Sequence, residues 1–361
     1  MRRLLIIAGV LLLLGVMTNY SITVSLSAAR GRLVAVTPSV VKQAIIVAIG
    51  LCVFAVTAHI KYLRWPGVAQ YTLLLLVLLL VAVLIPGVGR EINGSRRWIG
   101  WDSLGLQPSQ SAVVVIPLLA AKVFSGKFLN RFESKYYWAF LLFSLVVGSL
   151  VALEPDFGTA FVIIGSSLLI LVGVGMPWGR WLACTAGIAG LGLVAVSLKD
   201  SWRLRMTSFI DPLAKAQDVA YQLVNSMFAF ARGGVTGRGF MRSVQKFVHF
   251  PAQESDFVFA IFAEEFGFLG ATVVVALYVV LFMSLLRLSS RCREPFARVY
   301  VMALGVFLMS QTIVNMGVVV GLLPTTGVPL PFFSQGGNHI VFEMAALGIA
   351  ASIARSPESV S

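Results

Sequence analysis

Phe257 to Leu286 reads FVFAIFAEEFGFLGATVVVALYVVLFMSLL, with Glu264 and Glu265 as its only charges. As a helix rising 1.5 Å per residue, this run is about 45 Å long, more than enough for the hydrocarbon core of a bilayer. Working outward, comparable apolar segments occupy approximately 4–24, 40–58, 68–86, 110–125, 138–153, 158–175, 180–198, 299–323 and 336–354. Of the 361 residues, 58% are hydrophobic and 12% charged, where a soluble domain is about one quarter charged. So few polar side chains cannot cover so much apolar surface, and lipid must cover it instead. The expected fold is an all-α polytopic membrane protein of about ten transmembrane helices, one domain over 1–361. It carries one long extracytoplasmic loop, 199–256, between helices 7 and 8, and a short cytoplasmic tail, 355–361.

Other classes are excluded by composition and spacing. Cys52, Cys184 and Cys292 form neither a disulfide framework nor a metal-ligand pattern, and His59, His249 and His339 are equally scattered. The net charge of +13 belongs to loops facing anionic headgroups and does not indicate nucleic-acid binding. The first segment follows Met1-Arg2-Arg3 without a clear small-residue cleavage site, so it reads as an uncleaved anchor. With the N-terminus inside, the cytoplasmic side carries 14 of the 28 basic residues and the short outer loops six; the other eight lie in 199–256. That asymmetry places both termini in the cytoplasm.

In this orientation the polar motifs face outward: 87–109 (GVGREINGSRRWIGWDSLGLQPS), 154–158 (EPDFG), 199–256 and 324–337 (PTTGVPLPFFSQGG). The eight basic residues of the long loop suit a diphosphate headgroup, since Arg offers bidentate donors and Lys a compact charge. Contact with anionic lipid alone explains the same composition. Arg96 and Arg97 in NGSRRWI suit phosphate or an acidic partner group. Ser334 and Gln335 lie in a proline- and glycine-rich turn expected beside a substrate groove. Asp256 stands where polar loop meets apolar helix. Two roles are open for it: an acid meeting a lipid-linked substrate, or an N-cap of the following helix. Asp156 suits a cap in the same way, and Glu264, Glu265 and Glu343 suit structural pairing with an arginine or a backbone group.

In this order, NGSRRWI…LQPS, EPDFGTA, SFIDP…YQ, GGVTGRG, DFVFAIFAEEFGFLGA and NMGVVVGLLPTTGVPLPFFSQGG resemble the SEDS family of cell-wall polymerases (the FtsW, RodA and SpoVE types). The resemblance runs from about Gly89 to Asn338 and leans toward the FtsW branch. It implies a peptidoglycan glycosyltransferase of the bacterial cytoplasmic membrane that polymerises lipid II on the outer face. The implied partners are a class B penicillin-binding protein and other divisome or elongasome membrane proteins. Carried onto this chain, the essential acid is Asp256, acting as general base in a single inverting displacement. Arg203, Arg205 and Lys246 would contact the diphosphate, aided by a divalent cation, Mg or Mn, that the protein does not cage. The chain departs from the family pattern at Ala252, Glu254, Gln110, Val113, Gln335 and Asn338. A precursor transporter or flippase, and a non-catalytic division scaffold, stand as the alternatives. The first predicts binding groups near mid-membrane at broken helices; the second predicts that Asp256 is dispensable.

Overall fold

The computed structural model describes residues 2–29, 37–92, 95–100, 105–126, 134–198, 200–212, 220–248 and 254–356. Arg30, Arg32, Asn93, Gly94, Trp101, Lys127, Arg131, Lys199, Lys215, Asp218, His249 and Ala252 lie outside that set, as does the tail from 357. The elements in chain order are α1 (Arg2–Ala29), α2 (Pro38–His59), α3 (Trp65–Leu84), β1 (Gly89–Ile92), β2 (Ser95–Ile99), α4 (Ala112–Ser125), α5 (Ser134–Leu153), α6 (Phe157–Gly173), α7 (Trp178–Leu198), α8 (Asp200–Ile210), α9 (Tyr221–Gly233), α10 (Val258–Arg291), α11 (Pro295–Val319) and α12 (Gly337–Arg355).

Each of the ten expected apolar segments falls on a helix, and α8 and α9 are additional, inside the long loop. Among the described residues, eight helical segments are long and apolar enough to cross a membrane; α6, with 17 residues, is shorter. The chain is a multi-pass membrane protein. Its core is built around α11, which packs on α4, α6 and α10, while α12 packs along α2. The lipid-facing surface shows in side chains such as Leu74, Leu78, Leu193 and Val273, all more than half exposed, as expected where acyl chains replace water.

The expected continuous span 257–286 is broken. At Gly267 the backbone turns to φ 70°, ψ −171°, outside any helical region. Before the break, Val258 to Glu265 are buried on every side; after it, one stripe (Ala271, Val274, Tyr278, Leu281, Leu285, Leu288) faces the protein. The GGVTGRG segment repairs the interruption. Phe268 N donates to Gly234 O (2.9 Å) and Leu269 N to Val235 O (3.1 Å), while Arg238 N and Gly239 N donate to Glu264 O (3.0 Å) and Glu265 O (2.9 Å). A side chain at Gly267 would collide with Gly237 N and Val235 O, so the close approach requires glycine there. These four bonds give partners to polar backbone groups that the break takes out of the helix ladder.

The glutamates just before the break are paired as expected. Glu264 accepts from Ser243 Oγ, Val244 N (3.0 Å) and Gln245 N (3.1 Å). Glu265 accepts from Ser21 Oγ (2.5 Å) and from Lys246 Nζ (3.1 Å), a lysine rather than an arginine. These contacts fasten the segment 243–247 to α1 and α10 shortly before Asp256.

Candidate active site

Four connections meet at one end of the bundle: the β1–β2 hairpin after α3, the α5–α6 turn, the segment before α10, and the α11–α12 loop. Asp256 stands at their centre and is partly exposed. It does not cap α10: the N-cap position is Phe257, and no side chain closes the first turn. The capping expectation therefore fails, and the carboxyl is left to its surroundings. Its main chain is pinned on both sides. Asn315 Nδ2 on α11 donates to Asp256 O (2.8 Å) and to Val328 O (2.7 Å). Ser334 Oγ donates to Ser255 O, and Gln335 N to Glu254 O (2.9 Å). Gly327, at φ 72°, lets the α11–α12 loop run so close that its missing Cβ would sit 3.4 Å from Asp256 Oδ2.

Burial pushes the Asp256 carboxyl up to about 6, with the field of Asp156 adding to the rise; a hydrogen bond from Ser255 and the charge of Arg97 pull the other way. Asp156 caps α6 as expected, Oδ1 accepting from Thr159 N (3.2 Å), and its Oδ2 accepts from Gln107 Nε2 (3.0 Å). Arg97 Nη1 lies 3.9 Å from Asp156 Oδ2, and its Nε donates to Glu154 O (3.2 Å). Glu154 is pushed up to about 8, by burial first and by Asp156 second, with Arg97 opposing. Arg205 Nη1 reaches Thr325 O (3.4 Å). Its guanidinium is held below the usual range by burial and then by Arg97, while Asp156 opposes the shift. Arg97 disfavours the charge of Arg205 beside the buried Asp156, and a bound anion would relieve that repulsion.

Side chains hold the loop below Asp256 almost atom by atom. Val328 O accepts from Asn315, Pro329 O from Gln311 Nε2 (3.0 Å) and Pro331 O from Tyr278 Oη (2.5 Å). Leu330 N donates to Ser334 Oγ (2.8 Å), Phe332 N to Glu343 Oε2 (2.8 Å), and His339 Nε2 lies 3.1 Å from Ser334 O. Non-helical backbone packed between spans needs such partners. Phe332 takes φ 60°, the left-handed region that costs a non-glycine residue about 1–2 kcal/mol.

Of the substrate-binding candidates, Arg97 and Arg205 converge on the Asp156–Asp256 region. Arg203 is exposed on α8, and Arg96 turns away to pair with Glu91 (3.3 Å). Lys246 is a correction. It is fully buried, and its ammonium meets Glu265 Oε1 (3.1 Å), Ser21 Oγ (3.1 Å) and Met241 O (2.7 Å). Three donors with three acceptors leave nothing for a phosphate. Ser334 is a second correction: it is fully buried, and its hydroxyl is spent on Leu330 N and Ser255 O, so it shapes the loop. Gln335 contributes its backbone N–H to Glu254, and its side-chain Oε1 is buried without a partner. Asn315 and Gly327 were not among the expected site residues, although both lie in the quoted NMGVVVGLLPTTGVPLPFFSQGG block.

The sequence and the fold both have known relatives. A family model described as "Cell cycle protein", that of FtsW, RodA and SpoVE, matches residues 1–359. A probable peptidoglycan glycosyltransferase FtsW of Synechocystis sp. is 39% identical over 285 residues, 78% of this chain and 71% of that protein. Stage V sporulation protein E of Bacillus subtilis is 31% identical over 319 residues, 87% of this chain and 86% of that protein. Among solved structures, a chain from a study of how a peptidoglycan synthase complex coordinates polymerization and crosslinking superposes with a TM-score of 0.79 at 28% identity, covering 98% of this chain and 96% of that one. The rod shape determining protein RodA of Thermus thermophilus gives 0.71 at 26% identity, covering 98% and 95%.

Proposed function

This chain belongs to the FtsW/RodA/SpoVE family, and from that premise we propose that it is a peptidoglycan glycosyltransferase polymerising lipid II, with Asp256 as its general base. The observation that carries the proposal is Asp256 itself: partly exposed, fixed through its main chain, raised to about 6 and flanked by Arg97. A base titrating near the working pH combines the ionised form with real basicity. The acceptor sugar's 4-hydroxyl oxygen forms a bond to C1 of the donor chain. Its proton passes to an Asp256 oxygen, and the C1–oxygen bond to the lipid diphosphate breaks with the electron pair leaving on the diphosphate. One displacement inverts C1 and needs no covalent nucleophile. Arg97 and Arg205 supply the positive field for the leaving diphosphate.

Among the described residues, no group of three or more His, Cys, Asp or Glu side chains could hold a metal ion. A divalent cation such as Mg or Mn enters this proposal as a guest of the substrate phosphates, not caged by the protein. When bound, it would neutralise diphosphate charge. The proposed setting is the bacterial cytoplasmic membrane, termini inside and Asp256 outside. The proposed partner is a class B penicillin-binding protein, a pairing supported by the likeness to a chain from a synthase complex.

The test is polymerisation of labelled lipid II by the purified chain with its penicillin-binding partner, compared with Asp256→Asn. Loss of polymer in the variant, with folding unchanged, is expected. Equal polymer from both would remove Asp256 as the base, no polymer from either would leave a scaffold as the better account, and uptake of lipid II across proteoliposomes without polymer would favour the flippase.

A further inference from the structure

Glu343 on α12 is buried, and the chemistry above makes no use of it. Its Oε2 accepts the Phe332 N–H (2.8 Å), and its Oε1 is buried without a partner. Beside it lies a small cavity of about 10 Å³ lined by Glu343 with Ser109, Gln110, Gln311 and His339 among apolar side chains; Ser109 Oγ is likewise buried and unpartnered. Phe332 is a non-glycine residue held at φ 60°, a conformation that persists only where its surroundings over-determine it. Two residues further on, Ser334 Oγ donates to Ser255 O, and Gln335 N donates to Glu254 O. At the loop's other end, Gly327 packs on Asp256 Oδ2.

We propose that Glu343 is a positioning residue for Asp256, acting through Phe332 and the 327–335 loop, so that an acid on the last helix sets the placement of the general base. This rests on the reading of Asp256 given above. Tyr278 Oη, bonded to Pro331 O (2.5 Å), is the second anchor of the same loop from α10. If the loop slackens, water gains access to Asp256 and its raised titration falls toward the ordinary carboxylate range. The charged groups bearing on Asp256, namely Asp156 and Arg97, remain in place.

The experiment measures lipid II polymerisation by the full chain with its partner, from pH 5 to 8, for wild type, Glu343→Gln, Glu343→Met, Tyr278→Phe and Asp256→Asn. Glu343→Met and Tyr278→Phe should lower kcat about tenfold, because small misplacements of a reacting group are costly. KM should hold, and the midpoint of the acid limb should move down by roughly half a pH unit. Glu343→Gln keeps an acceptor for Phe332 N–H and should restore both. Wild-type kcat and acid limb in Glu343→Met, or equal impairment in Glu343→Gln, would overturn the proposal. If Glu343→Met does not fold, Tyr278→Phe, which differs by one hydroxyl, decides by the same criteria. Activity surviving in Asp256→Asn would instead remove the general-base reading, a distinct outcome.

Discussion

Lys246→Met separates a structural lysine from a substrate-binding one. In the structure its ammonium is completely buried, with acceptors at 3.1, 3.1 and 2.7 Å from α1, α10 and the turn at Met241. Burial pushes the ammonium's titration down, and Glu265 pushes it back up. Methionine fills the same tube of space but strands the Glu265 carboxylate, whose Oε2 is already without a partner. Removing one member of a buried pair costs about 3–5 kcal/mol, whereas replacing both with apolar side chains is neutral or stabilising. The single variant should therefore lose most of that amount, and Lys246→Met with Glu265→Met should recover it. A double-mutant cycle by reversible unfolding in mixed micelles reads the coupling directly. The reasoning is refuted if Lys246→Met unfolds like wild type, if the second substitution fails to rescue, and if the defect appears instead as a raised KM for lipid II.

Three further outcomes follow from the same geometry. Because the folded Asp256 titrates at about 6 against an ordinary 3.8, its ionisation opposes folding. Its contribution is fully present below 3.8 and lost as pH rises through about 6, so Asp256→Asn should melt higher than wild type at pH 7.5 and match it at pH 3.5. Thermal melts at those two values check the sign, with about 3 kcal/mol as the ceiling. Gly327→Ala, forced to φ 72° against Asp256 Oδ2, should lose about 1–2 kcal/mol of stability and at least tenfold in turnover, measured on the folded fraction. Gly267→Ala drives a methyl into Gly237 N and Val235 O; its yield of monodisperse protein on fluorescence-detected size exclusion should collapse, while Gly9→Ala, with open space at its site, serves as the control.

The spans were legible because lipid demands long apolar runs, and hydropathy detects nothing else so well. Asp256 was legible as the acid at a polar–apolar boundary, although its competing role as a cap was settled only by Phe257 holding the N-cap. The break at Gly267 was not legible: apolar residues continue on both sides, and the compensating donors come from GGVTGRG some thirty residues earlier. Lys246 misled for a related reason. A lysine in a basic loop looks solvated until the fold brings Ser21, 225 positions away, and Glu265, 19 positions away, to its ammonium. Arg97 and Arg205 were identified by type, but their shared neighbour Asp156 emerged only when α6 met the hairpin.

The interruption of α10 has a mechanical consequence. A continuous rod would transmit any rocking of its lipid-bathed shaft to the acid at its tip. Here the short piece before the break is tied to the glycine turn and to the first helix, and the longer shaft is tied to the same turn through Phe268 and Leu269. The bend is thereby a braced corner, and a push on the shaft is shared with the glycine turn before it reaches the carboxyl.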